Sequence, residues 1–220
     1  MKPIFSFIFI SIFTFLFSQT KQDLGEFDFV EIYDKIPVKL VKSDKNSVEI
    51  NGPKADDVEI IAKNKQVKIR MKTDDFLKGD DVRVILFYTN LNEIHANEGS
   101  QITSDNVISA ENLLLNAKEG ALINLSVEAN SLEIKTNSGG KIAVSGSAES
   151  QSVVSNSGGN YDGQQLKTIK TEVTVNAGGE ARVYATGKVD AKTRAGGNIH
   201  IFGGAEVAQQ TLAGGKIHIH

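Results

Sequence analysis

Three histidines near the end of the chain have the spacing that metal chemistry would need. His200 and His218 are 18 residues apart and His220 follows two residues later. In a chain that repeats at that period, the first two imidazoles stack on neighbouring strands about 4.8 Å apart. Two rings at that distance can reach one ion, with His220 as a further candidate, but a zinc site wants three or four ligands. No cysteine is available, and Asn198 and Lys216 are poor neighbours. Unliganded histidines on a solvent-facing strand are the better expectation, and no cofactor is expected.

Carboxylates offer a second chemistry. Glu119, Glu128, Glu133, Glu149, Asp162, Glu180 and Asp190 could act as acid and base on a polysaccharide if two faced each other across a cleft. They fall at different positions of the repeat, and no long loop is present to wall a cleft. A polysaccharide-active enzyme is therefore the alternative, and a non-catalytic protein the expectation. Tyr184 and Phe202, again 18 residues apart, share an outward position and form a small aromatic contact surface for glycan or protein. Tyr161 falls on an inward position and reads as core.

The elements that carry these residues follow from a glycine period. Gly99, Gly120, Gly139, Gly158, Gly178, Gly196 and Gly214 are 21, 19, 19, 20, 18 and 18 residues apart. That is too short for a helical pair and right for one coil of a β-solenoid. Seven residues before each glycine stand Leu113, Leu132, Gln151, Thr171, Val189 and Val207, and two residues on Leu115, Ile134, Val153, Val173, Ala191 and Gln209. After the glycines come Ile123, Ile142, Tyr161, Ala181, Ile199 and Ile217. Alternation of this kind predicts two strands per coil, each with one face inward, joined by a glycine corner on one side and a looser return on the other. Stacked coils give an all-β, right-handed parallel β-helix-like solenoid, a rod about 35 Å long. Asn137, Asn156 and Asn176 recur at one corner and predict a hydrogen-bonded ladder along the stack.

Residues 20–90 keep strand character without the period. Candidate strands are Phe27 to Tyr33, Val38 to Lys42, Ser47 to Asn51, Val58 to Ala62, Gln66 to Met71 and Val82 to Tyr88. This segment is expected to cap the open first coil of a solenoid covering residues 91–220. At the other end, Lys216, His218 and His220 keep the last coil polar.

Met1 to Gln19 has one basic residue, Lys2, an uncharged apolar run from Ile4 to Phe17, and a small residue, Ser18, at its exit. This reads as a secretory signal peptide cleaved near Ser18 or Gln19. The apolar run is shorter than the roughly 20 residues of a spanning helix, so no stable membrane insertion is expected after its removal. The formal charge of −3 gives no reason to expect nucleic acid as a partner. Without cysteine, neither a disulfide framework nor an N-terminal lipid acceptor exists.

The segment from Phe29 through Ile32-Tyr33 to Val41, then Ser47-Val48-Glu49-Ile50-Asn51-Gly52 and Val67-Lys68-Ile69-Arg70-Met71, resembles the opening of a known family. The units Ala110-Glu111-Asn112-Leu113, Ala129-Asn130-Ser131-Leu132 and Asn137-Ser138-Gly139-Gly140 are similar to its coils. That family is the head GIN domain of the putative auto-transporter adhesins, exported bacterial proteins found chiefly in Bacteroidetes. The resemblance covers nearly all of the chain after the signal segment. It implies an all-β solenoid of the periplasm, envelope or cell surface with an adhesive role, and supplies no catalytic residues. Expected partners are extracellular glycan or cell-surface protein. A structural element that assembles into homo-oligomers through its coil ends is the remaining alternative.

Overall fold

Side chains alternate between buried and exposed along nearly every strand of the computed structural model, which describes residues 19–220. The expected signal peptide, residues 1–19, lies outside the described residues except for Gln19, which opens the first strand. Seventeen strands form one continuous hydrogen-bonded sheet, wound into a β-solenoid. No α-helix occurs among the described residues, only three single 3₁₀ turns at Ala55–Asp57, Thr73–Asp75 and Gly79–Asp81.

The strands before the regular coils are β1 (Gln19–Asp23), β2 (Phe29–Ile32), β3 (Pro37–Lys42), β4 (Ser47–Asn51), β5 (Val58–Lys63), β6 (Gln66–Met71), β7 (Arg83–Tyr88), β8 (Glu93–Ala96) and β9 (Gln101–Ser104). Their stacking order is not their sequence order. β2 lies between β6 and β8, parallel to both, and β3 lies between β7 and β9, also parallel to both. The first coil in sequence is thus sandwiched between the second and the third, and the parallel ladder runs on across Leu91. Antiparallel strands close the outer end: β5 on β6, β4 on β7, and β1 on β4.

From there the stack follows the chain. β10 (Ile108–Lys118), β11 (Leu122–Asn137), β12 (Lys141–Ser155), β13 (Asn160–Asn176) and β14 (Glu180–Arg194) each pair in parallel with the next. The return that the sequence suggested would be loose is instead continuous strand, bent near Ala110, Ala129 and Ala148. β14 then carries two separate strands, β15 (Asn198–Phe202) on one face and β16 (Glu206–Leu212) on the other, and β17 (Lys216–Ile219) lies on β15.

At the sharp corner two consecutive residues take the left-handed conformation. Ser138 at φ 48° and Gly139 at φ 74° are one example, and Glu98, Glu119, Ser157, Ala177, Ala195 and Ala213 repeat the non-glycine half. The next residue has another task. A Cβ on Gly140 would lie 2.1 Å from the Ala117 carbonyl oxygen, whereas one on Gly139 would meet nothing within 4 Å. The first glycine is therefore required by its dihedral angles and the second by the closeness of the coil beneath.

The core is a stack of aliphatic columns, with Leu113, Leu132, Leu115, Ile134, Ile123 and Ile142 among its buried members. It turns polar in the middle. Tyr161, fully buried, donates from its hydroxyl to Gln151 Oε1 at 2.8 Å, and Gln151 Nε2 donates to Thr171 Oγ1 at 3.1 Å. Thr168 Oγ1 lies 2.9 Å from Thr171 Oγ1 and donates to the Tyr184 carbonyl at 2.7 Å. The register shifts between Gly163 and Thr168 sit beside this network, which satisfies buried groups that would otherwise be costly.

Candidate functional site

The bent side of the coils forms a surface groove of about 960 Å³ that crosses five successive turns of the chain. Its floor is Ala110, Ala129, Ala148 and Thr168. The pairings Ala110↔Ala129 and Ala129↔Ala148 stack these alanines one per coil. Small side chains at the bend keep the floor low. Residues immediately before and after each alanine then form two walls, one with Ser109, Glu128, Ser147 and Lys167, the other with Glu111, Asn130, Glu149 and Ile169. Ile169 is 52% exposed, and Tyr184 and Thr186 close one end. The result is a long, shallow channel along the stack with polar walls and an apolar patch at one end. Such a channel suits an extended ligand rather than an enclosed small molecule.

Tyr184 and Phe202 stand in register on β14 and β15, and both are half-buried. The ring stacked on Phe202 is that of His220, with centroids 4.5 Å apart and planes 9° from parallel. The outward column thus reads Tyr184, Phe202, His220. One position along, His200 and His218 stack at 4.7 Å, the spacing expected of imidazoles on adjacent strands, and His200 Nδ1 lies 3.2 Å from His220 Nε2. Burial, together with His218, holds the His200 imidazole below the ordinary histidine range. Stacked rings place their nitrogens side by side rather than converging on a point. Among the described residues no three metal-ligating side chains are grouped to hold an ion.

Several carboxylates that could have served in acid–base work are engaged in ion pairs along their own strands. Glu133 meets Lys135 at 2.7 Å, Glu180 meets Arg182 at 2.7 Å and Asp190 meets Lys192 at 3.4 Å. Glu128 and Glu149 line the groove, and Asp162 borders a separate shallow depression with Asn124 and Gln164. The asparagine ladder is partial. Asn176 Nδ2 donates to Asn156 Oδ1 at 2.8 Å, while Asn137 Oδ1 accepts from the Ser138 backbone amide at 2.9 Å.

Sequence reasoning placed contact residues on the flat faces and passed over the bend. The signal that could have found the groove was the alanine at the head of each Ala-x-x-Leu unit, a small residue recurring once per coil. His95 was also passed over. It packs edge-on against Phe29 at 4.7 Å, with Glu93 Oε1 2.8 Å from its Nε2, and burial lowers its affinity for a proton.

No curated protein sequence matches the chain at a significant level. Among solved structures, a putative adhesin from Bacteroides fragilis NCTC 9343 superposes with a TM-score of 0.83 at 17% identity, covering 93% of this chain and 97% of the other. A putative adhesin from Parabacteroides distasonis ATCC 8503 superposes with a TM-score of 0.72 at 19% identity, over 92% and 95% of the two chains. A third structure, described as a putative lipid binding protein from the same organism, gives a TM-score of 0.71 at 16% identity over 93% and 96%. At these identities the likeness establishes a shared fold. The sequence itself matches the family model described as "Putative auto-transporter adhesin, head GIN domain" over residues 26–205, and to that family the chain belongs.

Proposed function

We propose that this chain is an exported, non-catalytic binding protein of the adhesin type, and that it holds an extended glycan or a surface protein segment along the groove at its bent side. The observation that carries this reading is the groove itself. It repeats the same alanine-floored unit coil after coil, so weak contacts of one kind recur along the stack and add by multivalency. Tyr184 supplies an aromatic face at one end, and Phe202 extends it towards the last coil. The ion pairs of Glu133, Glu180 and Asp190 and the polar, open walls favour contact over catalysis. The family name and the apolar N-terminal run support export. Among the described residues no helix is long and apolar enough to cross a membrane.

A glycan-array and whole-cell binding screen tests this reading. It compares the chain from Gln19 to His220 with Tyr184→Ala/Phe202→Ala and with Ala129→Gln, which would raise the groove floor. Binding weakened about tenfold or more by both variants is expected. No binding to any glycan or cell, or binding indifferent to both variants, would sink it.

A further inference from the structure

The two ends of the stack are finished differently. At the N-terminal end, antiparallel strands close both faces, with β5 on β6 and β4 on β7. At the other end, β16 and β17 each have one neighbour among the described residues, β14 and β15. Their core-side residues are uncovered: Gln209 and Thr211 are exposed and Ile219 is 57% exposed. Neither strand contains proline, and their charged residues, Glu206 and Lys216, stand on the outward side, so the core side of this edge carries no charge that would oppose pairing. The end is also stepped, because the β15 face carries one further strand, β17, and the β16 face carries none.

We propose that this end is a two-fold interface between copies of the chain. A second copy turned about an axis along the strands, perpendicular to the solenoid axis, brings its β17 onto β16 and its β16 onto β17. Both new pairings are antiparallel, the same pairing that closes the opposite end of the molecule. The steps interlock, because the taller face of each copy meets the shorter face of the other. Polar groups agree with this arrangement: Glu206, at the start of β16, comes beside the end of the other copy's β17, where the imidazole N–H groups of His218 and His220 can donate to its carboxylate. Such a contact is closed by its symmetry and forms dimers, not filaments.

Sedimentation velocity over a concentration series of the chain from Gln19 to His220 tests the proposal. Dimers are expected at micromolar concentration. Ile219→Lys should weaken association about tenfold or more with little change in melting temperature, since the side chain is already exposed in one copy. Glu206→Lys should weaken it and the added His220→Glu should restore it. Without any mutation, amide exchange in β16 and β17 should slow as concentration rises. A monomer at every concentration, open-ended polymers, or a dimer indifferent to Ile219→Lys would overturn it.

Discussion

At the five corners from Gly139 onwards that carry a glycine pair, a single methyl group separates the two kinds of glycine. Gly140→Ala drives a Cβ to 2.1 Å from the Ala117 oxygen, so neighbouring coils must part, at a cost of about 1–3 kcal/mol. Gly139→Ala has open space around it and loses only the dihedral preference, about 1–2 kcal/mol. Chemical denaturation of the two variants should give midpoints in that order, and the reverse order would refute the division of labour. The buried hydroxyl makes a comparable test. Tyr161→Phe leaves Gln151 Oε1 without its 2.8 Å donor, so a loss of about 1–3 kcal/mol is expected. No measurable change would mean that water or a shifted carboxamide replaces the bond.

At the scale of elements, the coils could be read from the sequence because an inward column repeated at a near-constant interval leaves a direct mark. Gln66–Met71 and Ser47–Asn51 were legible to the residue from local alternation. The insertion of β2 and β3 between later strands was not, since alternation says which face of a strand is buried and nothing about which strand lies beside it. The groove escaped for a related reason: its floor is alanine, which carries no chemical signal alone and gains meaning only when stacked. The histidine column was legible in spacing, and its environment now sets a pH response. Burial and His218 hold the His200 imidazole below its ordinary value, so the folded chain resists a proton that the unfolded chain accepts near pH 6.5. The stability contributed by the last coil is therefore full above that pH and declines as pH falls through it. Amide exchange in Asn198–Ile219 should be faster at pH 5 than the intrinsic rate predicts from pH 8 data, and His200→Gln should remove the difference. A pH-independent protection factor would exclude this linkage.

For the whole molecule, each coil touches mainly its two neighbours, so stability is a sum of local terms. Leu132→Ala, in a fully buried column with coils on both sides, should cost about 2–5 kcal/mol, whereas Val207→Ala in the half-buried last full turn should cost less when measured at concentrations where the chain is monomeric. The gap should narrow at concentrations where the proposed dimer covers the last coil. The interleaved start also gives the molecule a mechanical polarity. Tension applied at His220 can lift β17, then β16 and β15, one ladder at a time, as thread leaves a spool. Tension applied at Gln19 strips β1 and then meets β2 and β3, each held by a strand on both sides, so the load falls on several rows of hydrogen bonds in shear. A pull on the N-terminal end would therefore meet a resistance that a pull on the other end does not, so the two ends of the stack are mechanically unequal.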